Sequence, residues 1–473
     1  MLAEGIPLPG SLWNALNQTN VSALKSWDSS LTEKQMLSYM ARINYTFNDR
    51  YLLTASVRRD GASQLAEGHK WATFPSIALG WRIDQEDFMG GINWINQLKL
   101  RVGYGVTGNS AIDPYATKGA IVSMFYPFGS TLVQGYTGSE TGITNGNVPM
   151  ANQSLTWEKT AQWNAGLDFS FLNGRINGIF DVYTSHTTDL LMQQTIASIT
   201  GYTNTYNNIG ETKNFGYDIT LNVIPVKTKD FTWSIGLNAA YTKNEIVSLS
   251  NGKEDDIANG WFIGQSTRMI YGYESAGLWK EENIEEMRKF NANGHNFQVG
   301  MARPVDQNGD YKIDPDNDRV FIGHRDPRWT LGLNTYLNYK GWDLGIQTYG
   351  RMDYTRNDAS VWVGGRYNVR KYDYYTENNK NAKYQKPIFD EGGLDAYYGV
   401  LGYYSGSYWM IRNISLGYTI PNKLLKNAGI SDLKLYVQCK NPAMIFSNID
   451  FIDMDTQSNT YMQGFTFGLN LSF

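Results

Sequence analysis

The sequence predicts an all-β chain: an antiparallel transmembrane β-barrel of roughly 14 strands, with long extracellular loops and short periplasmic turns. Three observations carry this. Apolar and polar residues alternate with a period of two along one segment after another, each near the ~10 residues that a tilted membrane strand needs. The connections between segments alternate between short and long, which is the outer-membrane pattern. The composition is rich in rings and glycine (32 Tyr, 14 Trp, 47 Gly), while mean hydropathy is only −0.41. No apolar run approaches the ~18 residues of a helical span, so helical membrane crossings are excluded.

The alternation starts at Tyr39, Ala41, Ile43, Tyr45 and Phe47, set against Met40, Arg42, Asn44 and Thr46. After Asn48, Asp49 and Arg50 it resumes with Leu53, Ala55 and Val57 against Thr54, Ser56 and Arg58. Ile77, Leu79 and Trp81 oppose Ala78, Gly80 and Arg82, and Leu100, Val102 and Tyr104 oppose Arg101, Gly103 and Gly105. Trp163, Ala165, Leu167 and Phe169 oppose Asn164, Gly166 and Asp168, and Asn173 with Gly174 gives the strongest short hairpin signal. Trp233, Ile235, Leu237 and Tyr241 oppose Ser234, Gly236 and Asn238. Leu331 and Leu333 lead through Lys340 and Gly341 to Trp342, Leu344 and Ile346, with the outward phase changing across the turn as a tight hairpin requires. The terminal segment puts Phe465, Phe467, Leu469, Leu471 and Phe473 on one face and small or polar Gly464, Thr466, Gly468, Asn470 and Ser472 on the other. A face of that second kind meets water rather than a second sheet.

Short turns are expected near Asn48, Asn173, Val226 and Lys340, and long loops over about 107–157, 185–208, 244–270, 280–328, 351–407 and 442–460. Residues 1–35, broken by Pro7, Pro9 and Gly10, read as the remnant of an extracellular loop, and residues 36–473 as one barrel portion. The first 30 residues lack a basic region followed by an apolar one, so an export signal is expected upstream of Met1.

Charge is nearly balanced, 41 basic against 45 acidic residues, which gives no argument for nucleic acid. The single cysteine, Cys439, cannot form an internal disulfide. His69, His186, His295 and His324 show no metal-ligand spacing, and no nucleophile elbow or phosphate loop is present, so the chain does not read as an enzyme. Ser185, His186 and Asp189 read as surface polar residues rather than a catalytic set.

One motif suits a cation. Asp306, Asn308, Asp310, Lys312 and Asp314 stand at alternating positions, as the ligands of a calcium loop do. Tyr311 stands where such loops have glycine and Asn317 where they have glutamate, so a self-capped loop of Asx turns is the alternative. The long loops are also rich in rings. Tyr126, Trp261, Trp362, Tyr374, Tyr375 and Tyr404 are the candidates for stacking on sugars or peptide side chains.

Several stretches together resemble one family: LSYMARINY at 37–45, YLLTASVRRDGAS at 51–63, WATFPSIALGWR at 71–82, LKLRVGYGVTGN at 98–109, LTWEKTAQWNAGLD at 155–168, NIG at 208–210 with NFGYD at 214–218, the 306–318 loop, and YWMIRNISLGY at 408–418. In this order they resemble the SusC-type TonB-dependent outer-membrane transporters of Bacteroidetes. The resemblance implies location in the cell outer membrane and import of an oligosaccharide or peptide. It also implies a SusD-like surface lipoprotein over the barrel and a TonB complex driving an internal plug. A full barrel of this type has about 22 strands, so the resemblance places this chain in the C-terminal part, with the plug absent. It also implies that Phe473, the terminal aromatic, is read as a barrel-assembly signal. The alternatives are a plug-free porin or a surface adhesin, in which the terminal strand would pair with the strand at 39–47.

Overall fold

The structure, a computed structural model, describes residues 32–118, 122–129, 131–137, 149–200, 202, 204–358, 372–387, 397–425, 429–449, 453–455 and 462–473. Among them one antiparallel sheet dominates. Its strands are β1 (Met36–Phe47), β2 (Tyr51–Ala62), β3 (Trp71–Arg82), β4 (Ile95–Asn109), β5 (Glu158–Phe171), β6 (Ile176–Thr188) and β7 (Glu211–Lys227). They continue as β8 (Phe231–Ser248), β9 (Trp329–Tyr339), β10 (Trp342–Met352), β11 (Tyr408–Thr419), β12 (Asp432–Ser447) and β13 (Gly464–Ser472). Each strand pairs with the next in sequence, so the 13 strands form an uninterrupted meander.

The connections segregate as expected. The connections that follow β1, β3, β5, β7, β9 and β11 leave one end of the sheet, and the mostly longer ones that follow β2, β4, β6, β8, β10 and β12 leave the other. Tyr339 pairs with Trp342 across Lys340 and Gly341, whose φ values are 46° and 90°. Positive φ at both central residues is what a tight turn matching the strand twist requires.

The sheet holds one strand fewer than the 14 expected, and the difference lies between 244 and 328. The segments Met269–Tyr273 and Ser275–Leu278 do not cross the membrane; they pair with Arg319–His324 and Ala302–Pro304 inside a single long connection. Each is too short to span, and Trp279, directly after the second, turns into a core of its own.

The meander has one face without protein cover. On β13, Phe465, Phe467 and Leu469 are 68%, 80% and 61% exposed. Ile43 and Tyr45 on β1 and Leu79 on β3 are similarly bare. Exposed apolar residues at every second position along successive strands form a lipid-facing band. Rings bound it at both ends: Tyr217, Tyr241 and Trp329 cluster near the long loops, while Phe231 with Tyr339 and Trp342 with Tyr418 pair near the short turns. Tyr241 and Phe231 are ten residues apart on β8, which at the usual strand rise and tilt is about 25 Å, the height of the apolar band in such barrels.

The outer edges of β1 and β13 have no strand partner among the described residues, and β13 does not pair with β1. The closed small barrel that the porin and adhesin alternatives needed is therefore not formed by these strands.

Candidate functional site

The other face of the meander is polar, and its rows follow from register. One row runs Thr220, Asn238, Gly332, Tyr349 and Met410 across β7 to β11. The next runs Asn222, Gly236, Asn334, Gln347 and Asn413. Gly332 carries no side chain between Asn238 and Tyr349, and this leaves a hollow in the wall. A cavity of about 770 Å³ lies there, lined by Thr220, Asn238, Asn334, Gln347, Arg412 and Asp455 among others.

Its polar groups hold one another in place. Thr220 Oγ1 donates to Asn238 Oδ1 at 3.2 Å, and Gln347 Nε2 donates to the Tyr336 hydroxyl at 2.7 Å. Arg412 donates to Asn441 Oδ1 at 3.2 Å and forms an ion pair with Asp455. Asp455 sits in the connection 448–463, so that connection reaches down onto the wall. The Tyr408 hydroxyl donates to the same carboxylate at 3.4 Å, and Arg351 stands 3.8 Å from it. Beside it, Ile449 and Met454 are buried against Tyr408 and Met410. Further around the wall, Arg101 bridges Asp168 at 2.8 Å and Asp181 at 3.0 Å. Gly166 makes that bridge possible, because a Cβ there would run into both Arg101 and Asp181.

The loop residues singled out from sequence are scattered. Tyr126 pairs with Val133 in the hairpin Val122–Phe128 and Thr131–Thr137. The backbone of Trp261 pairs with Asp256 in a tight loop. Trp362 lies outside the described residues. Tyr375 is buried, with its ring on Gly300, and its amide donates to the Tyr384 carbonyl at 2.9 Å. Tyr374 remains exposed beside it. The Tyr404 hydroxyl lies 2.8 Å from that of Tyr384, and its ring carries Lys383 Nζ 4.6 Å from the centroid. Tyr404 also lines a groove of about 530 Å³ between residues 275–283 and residues 381–383 and 400–404. Tyr375 and Tyr404 lie within one connection, and Trp261 lies in another.

The 306–318 loop closes on itself. Asp306 accepts the amides of Gly309 at 2.7 Å and Tyr311 at 2.8 Å; Asn308 accepts that of Asp310, and Asp310 that of Lys312. Asp314 accepts the amides of Asp316 and Asn317, which hold its carboxyl below the usual carboxylate range. Buried Asp318 accepts those of Gln307 and Asp314. The expected calcium set of Asp306, Asn308, Asp310, Lys312 and Asp314 is thus arranged as Asx turns. Among the described residues no three His, Cys, Asp or Glu side chains converge as metal ligands. The loop caps a small core of Trp279, Met287, Phe290, Phe297 and Ile313 around helix α1 (Ile284–Ala292), so residues 269–326 fold as a module above the sheet.

Comparison with known proteins fits the wall and its loops. A family profile described as TonB dependent receptor-like, beta-barrel matches residues 7–441. The chain belongs to the TonB-dependent receptor β-barrel family. It is accordingly an outer-membrane barrel protein, with the short turns on the periplasmic side. It is 31% identical over 485 residues to the TonB-dependent receptor SusC of Bacteroides thetaiotaomicron, covering 98% of this chain and 46% of that protein. It is 29% identical to the TonB-dependent receptor P3 of Formosa agariphila, covering 94% and 46%. Among solved structures, the RagAB peptide transporter superposes with a TM-score of 0.74 at 23% identity, over 97% of this chain and 50% of that one, which shows the shared fold. The chain spans about half the length of the relatives it matches.

In sequence the inward face of this TonB-dependent receptor barrel was read as water-facing, but its rows of amides were not singled out as candidate ligand contacts. The signal was present as Asn, Gln and Thr recurring at inward positions of β7 to β10. Asp455 carried no signal, because its role depends on how a long connection folds back.

Proposed function

We propose that this chain forms part of the wall of a TonB-dependent importer that carries a polar oligomer, an oligosaccharide or a peptide, across the outer membrane. A SusD-like surface lipoprotein would cover the long loops, and a TonB complex would supply the force. The observation that carries the reading is the lumen cavity of Asn238, Asn334, Gln347 and Thr220, with Arg412 and Asp455 at its rim. Side-chain amides both donate and accept, which suits sugar hydroxyls and peptide groups alike. The family relationship supports the energised route, and the folded loop module at 269–326 offers a rigid extracellular surface for a lid.

The test is uptake by cells carrying the transporter, with fluorescent maltooligosaccharides and a mixed oligopeptide pool as probes. Uptake of one pool should stop when the proton-motive force is collapsed. The triple variant Asn238→Ala, Asn334→Ala, Gln347→Ala should lower it at least about tenfold, since each lost hydrogen bond is worth roughly 0.5–1.5 kcal/mol. Uptake that survives loss of the proton-motive force would support a passive porin instead.

A further inference from the structure

The lumen face of β10 to β12 carries cations, and a break in register helps to put them there. Ser415 and Asn413 face the lumen, opposite Gly345 and Gln347, so strict alternation would turn Arg412 toward lipid. Instead Gln347 pairs with Asn413 and Thr348 with Ile411, which leaves Arg412 as the extra residue of a β-bulge. Toward β11, Asn441 and Pro442 of β12 are likewise unpaired, and Asn441 takes a φ of 51°. Bulges re-aim side chains. This one brings Arg412 onto the lumen cavity, where Asn441 Oδ1 accepts from it at 3.2 Å.

Arg412 and Arg351 converge on one carboxylate, that of Asp455. Arg351 is fixed from behind, its Nε donating to the Tyr349 hydroxyl at 2.8 Å. Lys440, opposite Asn413 on β12, adds a third cation and makes no ion pair among the described residues. The acidic groups around them are accounted for. Asp455 and Asp453, whose Oδ1 accepts the Asp455 amide at 2.9 Å, belong to the connection 448–463 and not to the wall. Asp343 lies near the short turns, paired with Lys434 at 2.7 Å, and Asp353 beyond β10 is engaged by Arg328 at 3.5 Å. Asp218 also lines the cavity, but the row Asp218, Ala240, Thr330, Arg351 puts three strand spacings between it and Arg351, about 14 Å. Charges that far apart across water are largely screened.

We infer, resting on the import reading above, that Arg351 and Arg412 form a site for a carboxylate of the cargo, and that Asp455 is an internal stand-in which the cargo displaces. Guanidinium forks match carboxylates in shape and charge, and Asp455 shows that this pair accepts one. The connection keeps its own anchor, since Ile449 and Met454 are buried against Tyr408 and Met410. Asp455 can therefore yield the arginines without release of the whole segment. The cargo this selects is an acidic oligomer, a polyuronate or an acidic peptide.

Binding to the intact transporter in mild detergent, measured by isothermal titration calorimetry, tests this. The probes are tetragalacturonate with its carboxyl-reduced form, and tetraglutamate with tetraglutamine, two sources of carboxylate each beside a neutral twin. One acidic probe should bind about tenfold more tightly than its twin, and Arg412→Gln should remove that preference, the scale of losing a charge-assisted hydrogen bond. Asp455→Asn should tighten the acidic probe about tenfold, by removing the competitor, and Arg412→Gln in the same chain should cancel that gain. Lys434→Gln, inward on β12 but near the short turns, should leave the preference in place. No preference in either pair, a preference that survives Arg412→Gln, or an Asp455→Asn variant without gain would each overturn the proposal. If the neutral twins bind and the triple amide variant weakens them while no acidic preference exists, the wall reading stands and this inference falls; if no probe binds, both fall. Heat-modifiable electrophoretic mobility verifies folding, and Arg351→Gln carries the same comparison if Arg412→Gln does not fold.

Discussion

His295 shows how one residue couples the extracellular module to pH. Its Nε2 accepts the Ile313 amide at 3.0 Å, which only the neutral ring can do. Burial, then the nearby Lys312 charge, holds its pKa below the ordinary value, although Asp318 opposes this. The folded module thus favours neutral imidazole. Its contribution is complete above the ordinary histidine value of about 6.5 and is lost as pH falls from there toward the lowered folded value. Hydrogen exchange at the Ile313 amide should quicken over that window, and His295→Ala should abolish the pH dependence. A second residue-scale expectation concerns the faces of β8. Leu237 lies midway along the strand between Leu221 and Leu333 on the outward face, while Asn238 beside it faces the lumen. Leu237→Arg should cost about 2–4 kcal/mol of insertion free energy. Asn238→Arg should insert nearly as well as the parent, as read by folding into vesicles.

At the scale of elements, strands and hairpins were the legible part. The alternation along β8 and β13, and the turns at Asn173 with Gly174 and Lys340 with Gly341, are local properties, so residues a few positions apart determine them. The segment at 269–278 was not legible. Its residues are apolar enough for a strand, but Trp279 beside it is claimed by Phe290 and Phe297, contacts that local pattern does not encode. That module should behave as a unit. Trp279 is 1% exposed and packs on Phe290 and Phe297 with Arg303 over its ring. Trp279→Ala should cost about 3–5 kcal/mol, and hydrogen exchange should report this over 284–304 while β7 to β10 stay protected. For the terminal strand, Phe473 is 87% exposed beyond β13 and packs nothing that stability would need. Deleting it should slow assembly into the outer membrane while leaving the thermal stability of the assembled barrel unchanged.

For the whole molecule, the meander separates two environments. Its outward face is an apolar band between two ring belts, and its inward face is a wall of amides, hydroxyls and paired charges. The sequence showed both faces. From sequence the ligand reading fell on the loop rings, because rings in long loops are conspicuous and inward amides are not. Tyr375 lies on Gly300, Tyr404 meets the Tyr384 hydroxyl, and the Asp306 carboxylate accepts amides of its own loop. Such roles depend on how a loop folds, and spacing alone does not distinguish them from ligand binding. The separation of faces underlies the proposed import wall, and one measurement tests it directly. Single cysteines placed from Ile235 to Tyr241 in a Cys439→Ser background, each carrying a fluorophore, would be reconstituted in vesicles of brominated lipid. The account predicts strong quenching at 235, 237, 239 and 241 and weak quenching at 236, 238 and 240. Quenching without that alternation, or with the opposite phase, would contradict it.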